Sequence, residues 1–491
     1  MDPADVAPAT SVTPPVPADS PVPANSPVPT DSPVPTISYD VAVLGAGPAG
    51  LAAAFRLARA GHSVAVVERE AVVGGLAASV TIGGVRVDHG SHRLHPSVAP
   101  EILATLRSLL GEDLQTRPRH GRIVMAGRFV PFPPTPGTLI RSLPPSLAAR
   151  LARDVVTAPG RRARADSFAE VVRASLGSTL LREFYAPMVE KLFGLPADRL
   201  AGELARRRVG TPSGAALASR MLRPASRRPG RSFFYPRRGY GQICEVFADA
   251  ATSSGAHIET NTTVEQLVVG ADRSTVSLAG GRRLEAGLVM STIPLTVLAG
   301  VAAGPRVDLA TRALTLVYLV LERRQWTEFD AHYLPDADVP IVRISEPRNY
   351  RDSADDPADC TVLCAEWPGA VGDRVWSAPA DALADEVRAA LARAGLAIPD
   401  PVEVQVRRAA RAYPVYDADY ATRFGTLADW ATSLEPRVVS FGRQGLFAHD
   451  NAHHALLMGW RAAACVDAGA QFDRDAWSRA RVDFATHVVE D

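Results

Sequence analysis

The chain has 491 residues, 47% of them hydrophobic and 22% charged, enough to bury a large core and typical of a globular protein. Its 53 Lys plus Arg balance 53 Asp plus Glu, which removes any global field that would favour nucleic acid. Lys191 is the only lysine, and the four cysteines (Cys244, Cys360, Cys364, Cys465) are scattered, so neither a disulfide framework nor a cysteine metal clamp is expected and the composition reads as reduced and cytoplasmic.

Residues 1–36 hold eleven prolines, no Lys or Arg, and the near-repeat ADSPVP–ANSPVP–TDSPVP. Such a segment cannot bury apolar area and is expected to be an extended, disordered tail with polyproline-II character. It lacks the basic start and apolar run of a signal peptide.

Residues 40–50, DVAVLGAGPAG, form an apolar β-run that breaks at Gly45, Gly47 and Gly50 and enters a helix predicted over 48–60. A turn of this kind lets backbone close on a pyrophosphate at a helix N-terminus. A second β-run over 62–67 ends in Glu68, eighteen residues past Gly50, the distance at which a carboxylate reaches an adenosine ribose. Alone, this unit accommodates NAD or FAD. Beyond it, Glu68-Arg69, Gly74-Gly75 and Ser79 spell ERxxxxGGxxxS, adding a second close backbone approach and a guanidinium for phosphate or ribose oxygens.

Further along, a helix is expected near 98–110, a hairpin around 121–134 and a mainly helical stretch over 144–222. Seven arginines crowd residues 220–238, suited to an anionic ligand, a membrane surface or a solvated loop. A helix over 242–253, a β-run over 256–259 and a hairpin-like 264–284 follow. Residues 287–304 are uncharged and as long as a membrane span, but Ser291, Thr292 and Pro294 break them into a buried strand, a turn and a short helix. Strands at 313–321, 339–344 and 360–367 are assigned to a second sheet. Helices at 380–394 and 419–434, a strand at 438–442 and a helix at 452–466 complete the chain.

The segment with ERxxxxGGxxxS resembles the FAD-binding signature of the amine oxidase superfamily, which includes protoporphyrinogen oxidases, phytoene desaturases and UDP-galactopyranose mutases. VDHGSHRLH, GRIVMAGRFVPFPP, FYAPMVEKLFG, FFYPRRGYGQ, VRISEP, RAYPVYD and VSFGRQGLFAHDNAHHALLMG extend the likeness to the mutases and their oxidoreductase-like relatives over residues 39–470. The resemblance implies an α/β fold with a doubly wound, Rossmann-like domain holding non-covalent FAD and a mixed helical and β-sheet substrate domain. It divides the chain into a tail (1–36), FAD-binding pieces (37–118, 233–304, 436–491) and substrate-domain pieces (119–232, 305–435).

The resemblance also implies roles for residues. Gly90, Ser91 and His92 would lie along the isoalloxazine, with His92 either donating to the flavin or packing the loop. Gly442, Arg443, Asn451 and His453 would form a second flavin clamp. Arg343, Tyr413 and Arg207 or Arg208 match positions that grip the substrate diphosphate in the mutases, with Phe193 and Tyr240 beside the substrate. Two features depart from the mutase pattern. Met188 and Phe193 stand where the mutases carry an aromatic and a tryptophan, and Arg227-Arg228 replace the aromatics that hold uracil, which removes most support for a UDP-sugar. His449, His453 and His454 read as flavin-site or helix-start residues, and no metal is expected. The resulting expectation is an FAD-dependent oxidoreductase that removes a hydride from a small organic substrate, with His92, Arg343 and Tyr413 as its catalytic candidates. NAD(P)H or oxygen would be its redox partner, and neither nucleic-acid binding nor a transmembrane segment is expected. A redox-neutral nucleotide-sugar mutase and a non-catalytic flavin-binding scaffold are the alternatives.

Overall fold

A computed structural model describes residues 36–125, 127–132, 138, 141–157, 166–209 and 232–489. The tail expected to be disordered, and most of the arginine-rich stretch including Arg227 and Arg228, lie outside these residues. In chain order the strands are β1 (Thr36–Leu44), β2 (Val64–Val67), β3 (Ser79–Ile82), β4 (Val85–Asp88), β5 (Leu114–Pro118), β6 (Gly121–Met125), β7 (Arg128–Phe132), β8 (Ser232–Pro236) and β9 (His257–Glu259). They continue with β10 (Val264–Val268), β11 (Ser274–Leu278), β12 (Arg283–Ser291), β13 (Thr311–Leu321), β14 (Ala331–Tyr333), β15 (Arg343–Ser345), β16 (Thr361–Gly369), β17 (Glu403–Pro414) and β18 (Val438–Ser440). The helices that bear on the site are α1 (Pro48–Arg59), α2 (Ala186–Phe193), α3 (Gly202–Val209), α4 (Gln242–Ser253), α5 (Ala380–Arg393), α6 (Ala452–Ala464) and α7 (Arg474–Phe484).

The first sheet is parallel through β18-β12-β1-β2-β9, and the antiparallel meander β10-β11 extends it from β12. Interior parallel strands are covered on both faces, which is why β1 ends in four buried residues and β2 (VAVV) is buried throughout. The helix α1 supplies one cover, with alanines on its buried side. Packed against it, α6 comes so close that a Cβ on Gly459 would stand 2.0 Å from the Ala49 carbonyl oxygen. Residues 287–304 take the expected form: β12 stops at Ser291 and a seven-residue helix, Leu295–Val301, follows Pro294. Among the described residues no helix is long and apolar enough to cross a membrane.

The second sheet has the order β17-β13-β16-β15-β14-β6-β7, antiparallel except where β14 meets β6. Alternation along β13 builds two cores. Val317, Leu319 and Leu321 pack with α5 residues such as Leu383 and Val387, whereas Leu316, Tyr318 and Val320 meet Ile82, Val85 and Val87 of the β3-β4 ribbon. That ribbon leads straight into residues 89–93, so the second sheet backs the loop that the resemblance puts beside a flavin. The strand expected over 339–344 is confined to Arg343–Ser345. Pro340 lacks an amide to donate, and the Lys191 ammonium of α2 takes the carbonyls of Leu334, Asp336, Val339 and Ile341, which therefore serve as its ligands.

Candidate active site

Where β1 ends, Gly45 takes a positive φ of 102° and donates its amide to the Val67 carbonyl (2.8 Å). Gly50 must be glycine, because a Cβ there would lie 2.0 Å from the Gly45 oxygen. A Cβ on Gly47 would instead meet nothing within 4 Å, so the turn has an open side at the N-terminus of α1. Unpaired amides and the helix dipole favour an anion there. Glu68 binds the same turn: Oε2 accepts from the Ala46 amide at 2.8 Å and Oε1 from Glu70 at 2.9 Å. Gly74 donates to the Ala46 carbonyl (2.8 Å), and Gly75 packs against Gly47. Arg69 points into solvent and pairs with Glu70 at 3.0 Å.

The Gly75 side of this groove continues into residues 89–93. Gly90 has a φ of 97°, and the Ser91 amide donates to Glu366 Oε1 at 2.8 Å. Arg343 donates to the same carboxylate through Nε (2.9 Å) and Nη2 (2.8 Å), and Nη2 also reaches the Ser91 carbonyl at 3.3 Å. Glu366 is only 1% exposed, in the middle of β16. Burial draws the Arg343 pKa down, but Glu366 more than offsets it, so the guanidinium stays charged. His92 donates from Nε2 to the carbonyls of Leu76 (2.9 Å) and His89 (3.2 Å). Both partners are acceptors, which fixes the proton on Nε2 and leaves Nδ1 a lone pair; burial lowers the pKa and keeps the ring neutral. Tyr240 stands behind it in the core, 1% exposed, with ring centroids 5.3 Å apart.

Beside this loop lies an aromatic and cationic wall. Tyr413, near the end of β17, meets Phe193 edge-on at 6.4 Å and lies under the Arg443 guanidinium at 5.6 Å. Burial, then the Glu366 carboxylate, raises its phenol pKa, while Arg343, Arg443 and Arg208 oppose the rise. Arg208 sits over the Phe193 ring at 5.7 Å. Arg207 is held by Glu203 one turn earlier in α3, Nε to Oε1 at 2.9 Å. Arg443 donates to the carbonyls of Ala412 (2.8 Å) and Asp450 (3.3 Å), and Gly442 brings its segment against Ala49 of α1. His449, edge-on to Phe193, donates to the Pro414 carbonyl at 2.7 Å. Burial, with Arg208 and Arg443 nearby, keeps it neutral. Asn451 caps α6, and His453 stacks on His95 with its Nε2 3.4 Å from Ser97 Oγ.

The residues singled out from the sequence thus fall into a glycine-lined groove (Gly45, Gly47, Gly50, Glu68, Gly74, Gly75), a loop (Gly90, Ser91, His92), a wall (Phe193, Arg207, Arg208, Arg343, Tyr413) and the segment of Gly442, Arg443, Asn451 and His453. Arg69 points outward and Tyr240 lies inward. Glu366 was not singled out, although one carboxylate in a nine-residue strand that is buried throughout (TVLCAEWPG) demands a cationic partner.

A parallel sheet with a glycine-rich first turn and an acidic residue ending its second strand is the arrangement of a dinucleotide-binding fold. A family model described as flavin containing amine oxidoreductase matches residues 48–467, and the chain belongs to that family. Among solved structures, reduced UDP-galactopyranose mutase is similar with a TM-score of 0.76 and 19% identity, covering 91% of this chain and 99% of that one. Putrescine oxidase bound to putrescine gives 0.61 and 21%, covering 88% and 99%. At these identities the likeness is one of fold. Phytoene dehydrogenase from Streptomyces griseus is 42% identical over 88 residues, 18% of this chain and 17% of that protein. The family implies a flavin, and the groove fits one: Gly47 leaves the turn open where a pyrophosphate would approach, and Gly75 borders it without filling it.

Proposed function

We propose that the protein is an FAD-dependent oxidoreductase that removes a hydride from a small organic substrate of low negative charge. The observation that carries this reading is the state of the arginines. Arg343 has its fork closed by Glu366, Arg207 is bound to Glu203, and Arg443 is spent on two backbone carbonyls. A diphosphate needs several guanidinium forks free at once.

Bound FAD supplies the two-electron acceptor chemistry. The protein's own residues bind and orient. Phe193 and Tyr413 offer aromatic surface to a carbon skeleton. The Arg343–Glu366 pair holds the 90–92 loop in place through Ser91. His92 presents Nδ1 as a hydrogen-bond acceptor and, being neutral, can hold a proton there. Arg208 adds one positive charge at the wall, enough for a single carboxylate or carbonyl. Oxygen or a nicotinamide nucleotide serves as redox partner.

Arg443 over the Tyr413 ring at 5.6 Å and Arg208 over the Phe193 ring at 5.7 Å favour a second reading, a redox-neutral nucleotide-sugar mutase. One anaerobic experiment separates the two. Purified protein is mixed with panels of amines, alcohols and cyclic alkenes while the flavin absorbance is followed, and dithionite-reduced protein is mixed in parallel with nucleotide sugars. The proposal expects bleaching by a member of the first panel. It fails if no compound bleaches the flavin and a nucleotide sugar is isomerised only by the reduced protein.

A further inference from the structure

Lys191, the sole lysine of the chain, sits on α2 two residues before Phe193. Its ammonium donates to four backbone carbonyls, those of Leu334, Asp336 (2.9 Å), Val339 (2.9 Å) and Ile341 (3.3 Å). All four belong to residues 334–342, the loop between β14 and β15, which therefore curls round a cation. An ammonium has three N–H donors, so four acceptors outnumber them and one hydrogen is shared. Carbonyl oxygens closing on a single positive charge are the means by which proteins hold a bare monovalent cation. Burial lowers the Lys191 pKa from 10.5 to about 8, with Asp336 and Asp338 opposing the fall, so the group is charged at neutral pH.

The loop's own backbone does less to fix it. Pro335 and Pro340 have no amide to donate, and backbone hydrogen bonds within the loop run from Leu334 to Val342 (3.0 Å) and from Val339 to Asp336 (3.2 Å). Arg393 adds a donation to the Asp338 carbonyl at 3.3 Å. Both ends of the loop carry residues of the candidate site. Tyr333 precedes it, with its ring under the Arg343 guanidinium at 5.6 Å and its hydroxyl 3.3 Å from Arg93 Nη1. Arg343 follows it, bound to Glu366 and to the Ser91 carbonyl. Lys191 thus ties the helix that carries Phe193 to the hairpin that carries Tyr333 and Arg343.

We propose that Lys191 is a positioning residue: its ammonium is the resident cation of a carbonyl cage in the β14–β15 loop, and by filling that cage it sets Tyr333 and Arg343 relative to Phe193. The positioning role rests on the reading that puts substrate against Phe193 near Arg343, whereas the cage does not depend on which substrate the flavin serves. Emptied of its own ammonium, the cage should accept a small alkylammonium from solution. Lys191→Ala keeps one carbon of the four-carbon stem, so the part removed has the outline of n-propylammonium.

The test uses the full-length flavoprotein with n-propylammonium chloride as the probe. Tetramethylammonium chloride, which has no N–H to donate, is the control at equal ionic strength. Lys191→Ala is expected to melt at least about 3 °C below wild type, with faster amide exchange over 331–345 and 186–195 and unchanged exchange over 40–50 and 62–68. n-Propylammonium should reverse both changes in a saturable way, tetramethylammonium should reverse neither, and wild type should respond to neither salt. Lys191→Met fills the same channel with an uncharged chain, so it should exchange faster and resist rescue. With a compound that bleaches the flavin, Lys191→Ala should need about tenfold more of it for half-maximal reduction, at an unchanged limiting rate. Failure of every compound to bleach the flavin counts against the oxidoreductase reading and leaves the melting and exchange results to decide the cage. Native wild type is also treated with an amine-acylating reagent beside a free lysine peptide, and Lys191 should react at least about tenfold more slowly than the peptide. This measurement and Lys191→Met decide the matter if Lys191→Ala does not fold. The proposal is overturned if native Lys191 reacts as fast as the peptide, if a folded variant exchanges like wild type, if n-propylammonium restores Lys191→Ala no better than tetramethylammonium, or if half-saturation by substrate is unchanged.

Discussion

Replacing Glu366 with Gln removes the counter-charge of Arg343 from a strand in which all nine residues are buried. Three N–H groups converge on this carboxylate: Arg343 Nε at 2.9 Å, Arg343 Nη2 at 2.8 Å and the Ser91 amide at 2.8 Å. A glutamine keeps one acceptor oxygen but turns an NH₂ group toward a guanidinium N–H, so donor faces donor. Breaking a buried ion pair from one side costs about 3–5 kcal/mol. Losing one or two hydrogen bonds to charged groups, at about 1.5–3 kcal/mol each, gives the same order. Arg343 keeps some contact with solvent, its side chain being 16% exposed, which puts the expected loss near the lower end, about 3 kcal/mol. Urea unfolding followed by circular dichroism should show that loss, and the variant should release flavin more readily because the Ser91 loop loses its anchor. Replacing both partners with apolar residues (Arg343→Met with Glu366→Leu) should recover most of the stability. A double-mutant cycle measures the coupling directly. A coupling below about 1 kcal/mol, the value of an exposed pair, would refute the reasoning.

The glycine turn makes a paired prediction. Gly50→Ala places a Cβ 2.0 Å from the Gly45 oxygen and should yield poorly folded protein, whereas Gly47→Ala meets no protein atom within 4 Å and should fold normally but lose flavin; a folded, fully flavinated Gly47→Ala protein would show that the cofactor approaches elsewhere. His89, under the Gly75 carbonyl, has its pKa lowered from 6.5 to about 4, chiefly by burial and then by Arg407. The unfolded chain therefore takes up this proton near pH 6.5 and the folded chain only near 4. Stability should fall as the pH drops through that window and the His89 contribution should flatten below it. His89→Gln should remove this component, and parallel pH profiles for the two proteins would contradict it. Tyr413→Phe, which loses only a hydroxyl beside Phe193 and Arg443, should keep its flavin and slow its reduction by substrate if Tyr413 belongs to the proposed substrate site; unchanged anaerobic reduction kinetics would remove it from that site.

Much of this fold can be read locally. Parallel strands buried on both faces leave continuous apolar runs, so β1, β2 and the end of β12 stand out, and Pro294 marks the break that rules out a long helix. β17 escapes such reading because it is an edge strand: it exposes much of its length, including Arg407 and Arg408, and has no hydrophobic run to notice. The site is less legible still, since its key partners are distant in sequence. Glu366 meets Arg343 23 positions away but Ser91 275 positions away, and no spacing rule connects them. Asp88, holding Ser79 Oγ, the Tyr235 hydroxyl and the Tyr240 amide, is hidden in the same way. Arg69 shows the reverse case, a promising neighbour of the glycine pair that turns to Glu70 in solvent.

The central claim is a flavoprotein that carries FAD in the groove opened by Gly47. Its most direct test is to denature the purified protein and identify the released cofactor by mass and by its stoichiometry to chain. One FAD per chain from wild type, and little or none from folded Gly47→Ala, is the predicted result. Release of FMN, release of a nicotinamide nucleotide in place of flavin, or equal FAD from both proteins would contradict it.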